Sequence, residues 1–139
     1  MGKIKQKNTK PELLVRDFLR AEGFRIREQV SDLPGSPDFI LPWYQVAIFV
    51  HGCYWHRHHC RRGQSMPTNR REFWQNKFEK NVRRDINSKI ELEALGYRVL
   101  VVWECELKRA SLNNTLDNLL CEIRTTNTPS ISFRKKNQR

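Results

Sequence analysis

The sequence predicts an α/β fold, a central mixed β-sheet flanked by helices, and three features of its 139 residues carry that prediction. Residues 46–50 (VAIFV) and 97–103 (YRVLVVW) are near-continuous apolar runs, as strands covered on both faces are. Helix-spaced apolar rows stand before, between and after them, in the order that puts helices on a sheet.

Each element has a local reason. Thr9, Pro11 and Glu12 read as a helix start with proline in the first turn. Leu13, Leu14, Phe18 and Leu19 fall on one helical stripe, which Gly23 ends. Residues 24–30 alternate apolar and polar as a half-buried strand does, and the turn-rich SDLPGSP follows. A short strand at 38–41, a turn at 42–45 and the buried strand 46–50 come next. Residues 51–67 are rich in Cys, His, Arg and Gly without a period, so they form a loop that needs more than an apolar core to hold its shape. From about residue 69 to 95 the period is helical, with Phe73, Phe78, Val82, Ile86, Ile90 and Leu95 on one side and Gly96 closing it. After the buried strand 97–103, the residues Leu112, Leu116, Leu119, Leu120 and Ile123 mark a last core helix, with Cys121 a free packing residue. Residues 1–10 read as a basic arm, 11–125 as one domain and 126–139 as a disordered basic tail.

Lys and Arg number 26 against 15 Asp and Glu, a net charge of +11 and a pI near 10.0. The basic residues recur along the whole chain, which points to a polyanion, nucleic acid above all, bound with counterion release. A hydrophobic fraction of 38% and a mean hydropathy of -0.73 describe a folding, water-soluble chain, not a disordered one. No stretch reaches the roughly 20 apolar residues of a spanning helix, and the start lacks a secretory core; the expectation is a cytoplasmic protein, with no membrane partner. Trp55 and Trp74 sit among His, Arg, Asn and Lys, where stacking on bases is a natural use.

Two groups of residues carry chemistry. Cys53, His58 and Cys60, with Cys105 just past a predicted strand, supply three sulfurs and one nitrogen. Such a closed donor set suits a structural Zn2+ ion, which would fasten the loop to the strand 97–103. The second group is Asp38, a carboxylate at the start of a strand, beside the strand that ends Val50-His51. Phosphodiester hydrolysis uses oxygen ligands for Mg2+, which a carboxylate and a strand-end carbonyl provide, while histidines exchange protons near neutral pH.

The strings NTKPELLVR, LPGSPDFIL, IFVHGCYWHRHHC, TNRREFW and GYRVLVVWECEL, in this order, resemble the very-short-patch repair (Vsr) endonucleases of bacteria from about residue 7 to 107. The resemblance implies a fold similar to the type II restriction endonuclease core. It also implies a Mg2+-dependent nicking enzyme that cuts 5′ of the thymine in T:G mismatches left by deamination of 5-methylcytosine. Carried over position by position, it makes Asp38 a ligand of the catalytic metal and Val50 a second one through its backbone oxygen. His51 and His56 become active-site histidines, His56 orienting or activating water, and Glu12 a supporting acid. Cys53, His58, Cys60 and Cys105 become the structural zinc ligands. Tyr54, Trp55 and Trp74 become the aromatic wedge entering DNA beside the mismatch, where poor stacking makes opening cheap. Lys77 and Asn81, four apart on one helix face, become readers of base edges. Val50 stands where some members have threonine, and Tyr54 where phenylalanine is frequent. The resemblance further implies bacterial, nucleoid-associated action on double-stranded DNA as a monomer, with the mismatch-repair protein MutL as a partner.

Two other functions fit the residues. A restriction or homing-type endonuclease on undamaged DNA would nick T:A and T:G duplexes alike. A non-catalytic zinc-stapled DNA-binding module would be indifferent to Asp38→Ala.

Overall fold

The computed structural model describes residues 9–125; the arm to residue 8 and the tail from 126 lie outside the described residues. Helix α1 (Lys10–Ala21) carries Pro11 in its first turn, where no intrahelical N–H is lost, and Leu13 donates back to the Thr9 carbonyl. Its core-facing row is Glu12, Val15 and Leu19, spaced i+3 and i+4, so a carboxylate shares the buried stripe. Gly23, at φ 87°, takes the left-handed turn that ends it: Gly23 N–H donates to the Arg20 carbonyl and Phe24 N–H to that of Leu19.

That cap consumes the start of the expected strand 24–30. Strand β1 is only Arg27–Glu28, because Phe24 belongs to the helix ending and Gln29 turns left-handed at φ 51°. β2 (Phe39–Leu41) and β3 (Val46–His51) form an antiparallel hairpin, and every side chain of β2 and all but Val50 of β3 are buried. α2 (Arg71–Ala94) then crosses over to β4 (Arg98–Trp103), which pairs parallel to β3 from Val46↔Arg98 to His51↔Trp103. The sheet order is β1-β2-β3-β4, mixed in sense. α3 (Leu112–Arg124) returns across the sheet, and its last carbonyls, those of Glu122 and Ile123, accept from the Arg98 guanidinium at the foot of β4.

Alternation along the strands divides the core. Phe39, Leu41, Val46, Ile48 and Val102 meet α1 and α3 through Val15, Leu19, Leu119 and Ile123. Ile40, Ala47 and Phe49 face the other way, against Val30 and Leu92 of α2. Leu92 and Tyr97 also close α2, since Gly96 N–H bonds to Glu93 and Tyr97 N–H to Leu92.

Three expectations are corrected. The α2 row Phe73, Phe78, Val82, Ile86, Ile90 and Leu95 is not the packing face: Phe73, Ile86, Ile90 and Leu95 are exposed, and the buried residues are Phe78, Ser88 and Leu92. β4 is an edge strand, with Val102 buried and Val101 exposed, where full coverage was expected. Cys121 is exposed on α3 and does not pack in the core.

Candidate active site and metal centre

The site forms where β2 begins and β3 ends. Because these strands run antiparallel, Asp38, one residue before β2, lies beside the end of β3, and its Oδ2 reaches along to accept the Val50 N–H at 2.7 Å. N–H and C=O of one strand residue point to the same edge, so the Val50 carbonyl faces the side occupied by Asp38. Asp38 is buried, as is Glu12. Glu12 reaches this corner through Gln29, whose side-chain amide donates to Glu12 Oε1 at 3.3 Å and whose backbone N–H donates to the Asp38 carbonyl at 2.9 Å.

His51 ends β3 and stacks face to face on His56, with ring centres 3.8 Å apart and planes within 3°. Burial, reinforced by the His56 ring, pushes the His51 pKa down to about 4, against a smaller opposing pull from Asp85. It is therefore a neutral imidazole at physiological pH, and its buried Nδ1 has no hydrogen-bond partner. Such an orphan atom is expected where a site awaits a ligand. His56 Nδ1 lies 2.6 Å from Asp85 Oδ2, both side chains being about a quarter exposed. A carboxylate on Nδ1 sets the tautomer and leaves Nε2 to accept a proton.

Asp85 is a site residue that the sequence reading missed. Its signal was a second row on α2, Trp74, Phe78, Asn81, Asp85, Ser88 and Leu92, whose alternating four- and three-residue steps mark one helix face. Counting only apolar residues selects the neighbouring row instead.

On the far side of the same loop, Cys53, His58, Cys60 and Cys105 bring one ligand atom each to within 4.8 Å of one another. Cys105 N–H donates to Cys53 Sγ, and Cys105 Sγ lies 3.5 Å from His58 Nδ1. Hydrogen bonding from His58, then from the Gly63 backbone, lowers the Cys60 thiol to about 6, whereas burial pushes the Cys53 thiol up and the Cys105 thiol up to about 12, so a cation must displace those two protons to bind. Three sulfurs and a nitrogen at this spacing fit a tetrahedral soft cation, with metal–sulfur bonds of ~2.3 Å. Asp38 and the Val50 carbonyl offer the oxygen ligands of a harder ion, and His51, His56 and Asp85 form a second cluster whose ligand atoms lie within 4.8 Å of one another.

Trp103, at the end of β4, stands between the two groups: it stacks on His58 at 4.2 Å and meets His51 edge-on at 5.1 Å. Beyond His56 lies an aromatic cluster. Tyr54, Trp55 and Trp74 gather around Phe78, with ring centres 5.1 to 6.1 Å from it. Trp55 is 47% exposed despite this packing. Asn81 donates to the Trp55 carbonyl at 3.3 Å, and Lys77 is exposed one turn earlier. The loop 51–60 thus carries the imidazole pair and three of the four cysteine-cluster ligands and reaches the aromatic cluster on α2, while Asp38 and Glu12 meet it only at Val50, and Lys77 stands exposed on α2.

Fold and site together define a small basic α/β protein with an acid-and-imidazole centre braced by a soft-metal type cluster. The family described as DNA mismatch endonuclease Vsr matches residues 1–62. Relatives extend the match: a type II nicking enzyme of Neisseria meningitidis serogroup A is 46% identical over 125 residues, 89% of each chain. A type II nicking enzyme of Xanthomonas oryzae is 45% identical over 122 residues, covering 84% of this chain and 89% of the relative. The DNA mismatch endonuclease Vsr of Escherichia coli K12 is 44% identical over 108 residues, 78% of this chain and 69% of that one. The chain belongs to the Vsr family and is a DNA endonuclease of the Vsr type.

Proposed function

We propose that the protein nicks one strand of duplex DNA on the 5′ side of the thymine in a T:G mismatch, in a Mg2+-dependent reaction, and acts as a monomer on this asymmetric lesion. The carrying observation is that Asp38 is held on Val50 at the end of β3, while the next residue, His51, stacks on His56, which is paired with Asp85, beside the half-exposed Trp55. The mixed sheet serves here as a core of the type II restriction endonuclease kind.

Asp38 and the Val50 carbonyl would hold the catalytic cation. When bound, that ion supplies positive charge that polarises the scissile phosphate and acidifies water. His56, its Nδ1 hydrogen bonded to Asp85, offers Nε2 to take the proton of the attacking water. His51, kept neutral by burial, donates one hydrogen bond to a phosphate oxygen without adding charge. Glu12 steadies Asp38 through Gln29. Cys53, His58, Cys60 and Cys105 hold a structural Zn2+ ion that keeps the loop carrying His56 in place.

Recognition follows from the aromatic cluster. Trp55, supported by Tyr54 and Trp74, enters the weakly stacked mismatch step, and its ring replaces the lost base stacking. Lys77 and Asn81 face the opened step and read base edges. The deciding experiment compares nicking of end-labelled duplexes carrying T:G or T:A at one position by the zinc-loaded protein, with Mg2+ and without added divalent cation. The expected result is a single nick 5′ of the thymine, in the T:G duplex only and with Mg2+ only. Equal cutting of both duplexes would overturn the mismatch reading, and undiminished cutting without added Mg2+ the metal reading.

A further inference from the structure

We infer that a groove between α2 and the β1–β2 turn holds the sugar–phosphate backbone of the DNA to one side of the lesion, so that the protein grips one arm of its duplex more firmly than the other. This rests on the function proposed above and adds a surface to it. The groove is a concavity of about 460 Å³ along one shoulder of α2, with Lys80, Arg83 and Arg84 on its wall. Among the described residues none of these three cations is in an ion pair, whereas Lys89, elsewhere on the same helix, pairs with Glu93. Three cations without an acidic partner along a concave track are an anion site in search of its anion.

The floor explains the shape. Gly35, at φ +75°, lets the turn approach α2 so closely that a Cβ there would lie 2.6 Å from Ser88 Cβ and Oγ. A side chain at 35 would push the turn away and open the floor. From Lys80 to Glu91 the helix rises about 16 Å, a length for a short run of phosphates and too long for one. Asn87 adds a neutral donor within the track, and Glu91 closes its far end with charge of the wrong sign for further phosphates. At the near end, Arg84 Nη1 donates to Asn81 Oδ1 at 3.4 Å, and Asn81 donates to the Trp55 carbonyl. The track is thus continuous with the aromatic cluster and leads away from Trp74 along the helix.

The test uses the full-length, zinc-loaded protein with no added Mg2+, where binding is read without cleavage, and a T:G duplex over a range of salt. Lys80→Gln/Arg84→Gln is expected to flatten the slope of log K against log[salt] by about 1.8, two contacts at ~0.9 each. Lys89→Gln is expected to leave the slope unchanged, and Glu91→Gln to tighten binding. Duplexes trimmed close to the lesion on one arm or the other should separate for the wild type, only one trim weakening it, and should converge for the double variant. An unaltered slope in the double variant, or equal loss from both trims in the wild type, overturns the inference. So does orthophosphate that competes beyond its ionic strength, which would make the groove a free-anion site. If the wild type binds T:G and T:A alike while the slope still falls, the mismatch reading fails and the groove stands.

Discussion

The loop from His51 to Cys60 feeds two centres alternately: His51 and His56 turn to one, Cys53, His58 and Cys60 to the other. Their completions differ. The cysteine–histidine group is closed by Cys105 from beyond β4, with Cys53 and His58 buried, and its four donor atoms lie within 4.8 Å of one another. The acid–imidazole group is completed by Asp85 from α2 yet keeps an orphan nitrogen on His51 and partly exposed side chains at His56 and Asp85. A loop too polar to fold around a core is thereby tied at two points. The closed point supplies rigidity, and the incomplete one retains the capacity to bind and react.

The contrast can be broken at either centre. Cys105→Ala should act most strongly: bound zinc falls from one equivalent to none by metal analysis, nicking is lost, and the loop becomes protease-sensitive. Far-UV circular dichroism should change little, since the sheet cores lie elsewhere. His56→Ala should lower the nicking rate by ~10²–10⁴-fold, the range for a general base, with zinc content and mismatch binding unchanged; parallel loss of zinc would merge the two centres. Asp85→Asn should lower the rate by ~10–100-fold, as loss of an orienting partner does, and alter the pH–rate profile while binding persists. The smallest effect is on stability. Because folding lowers the His51 pKa from 6.5 to about 4, the unfolded chain binds more protons in that window. Stability from this group is therefore complete above pH 6.5 and is lost as the pH falls towards 4. His51→Gln should show a shallower decline than the wild type in denaturant titrations at matched zinc content.

The sequence was most legible where chemistry and pattern coincide. β2 and β3 announce themselves because both faces are covered, so nearly every residue is apolar. The grouping of Cys53, His58 and Cys60 with Cys105 was legible because few other roles put sulfur and imidazole together in a loop with no period, whereas Cys121 was misread. Asp38 and Val50 were placed side by side by the hairpin, as the order of strand and turn implied. α2 misled because its inward face crosses the reactive centre: Asn81, Asp85 and Ser88 occupy positions that a core helix fills with leucine, while Ile86 and Ile90 look outward. β1 shrank for a local reason, the helix cap at Gly23 and Phe24, which alternation in a short window does not register. The edge position of β4 depends on what else joins the sheet, a tertiary fact that no window of sequence holds.

The indole of Trp103 has a practical consequence. One ring lies flat on His58 and presents an edge to His51, so events at either centre change its surroundings. Its emission, isolated by replacing the other three tryptophans with phenylalanine, becomes an internal spectroscopic probe of both. Withdrawal of the zinc proposed for the cysteine cluster and binding of free phosphate beside His51 should then be recorded as separate signals from a single fluorophore.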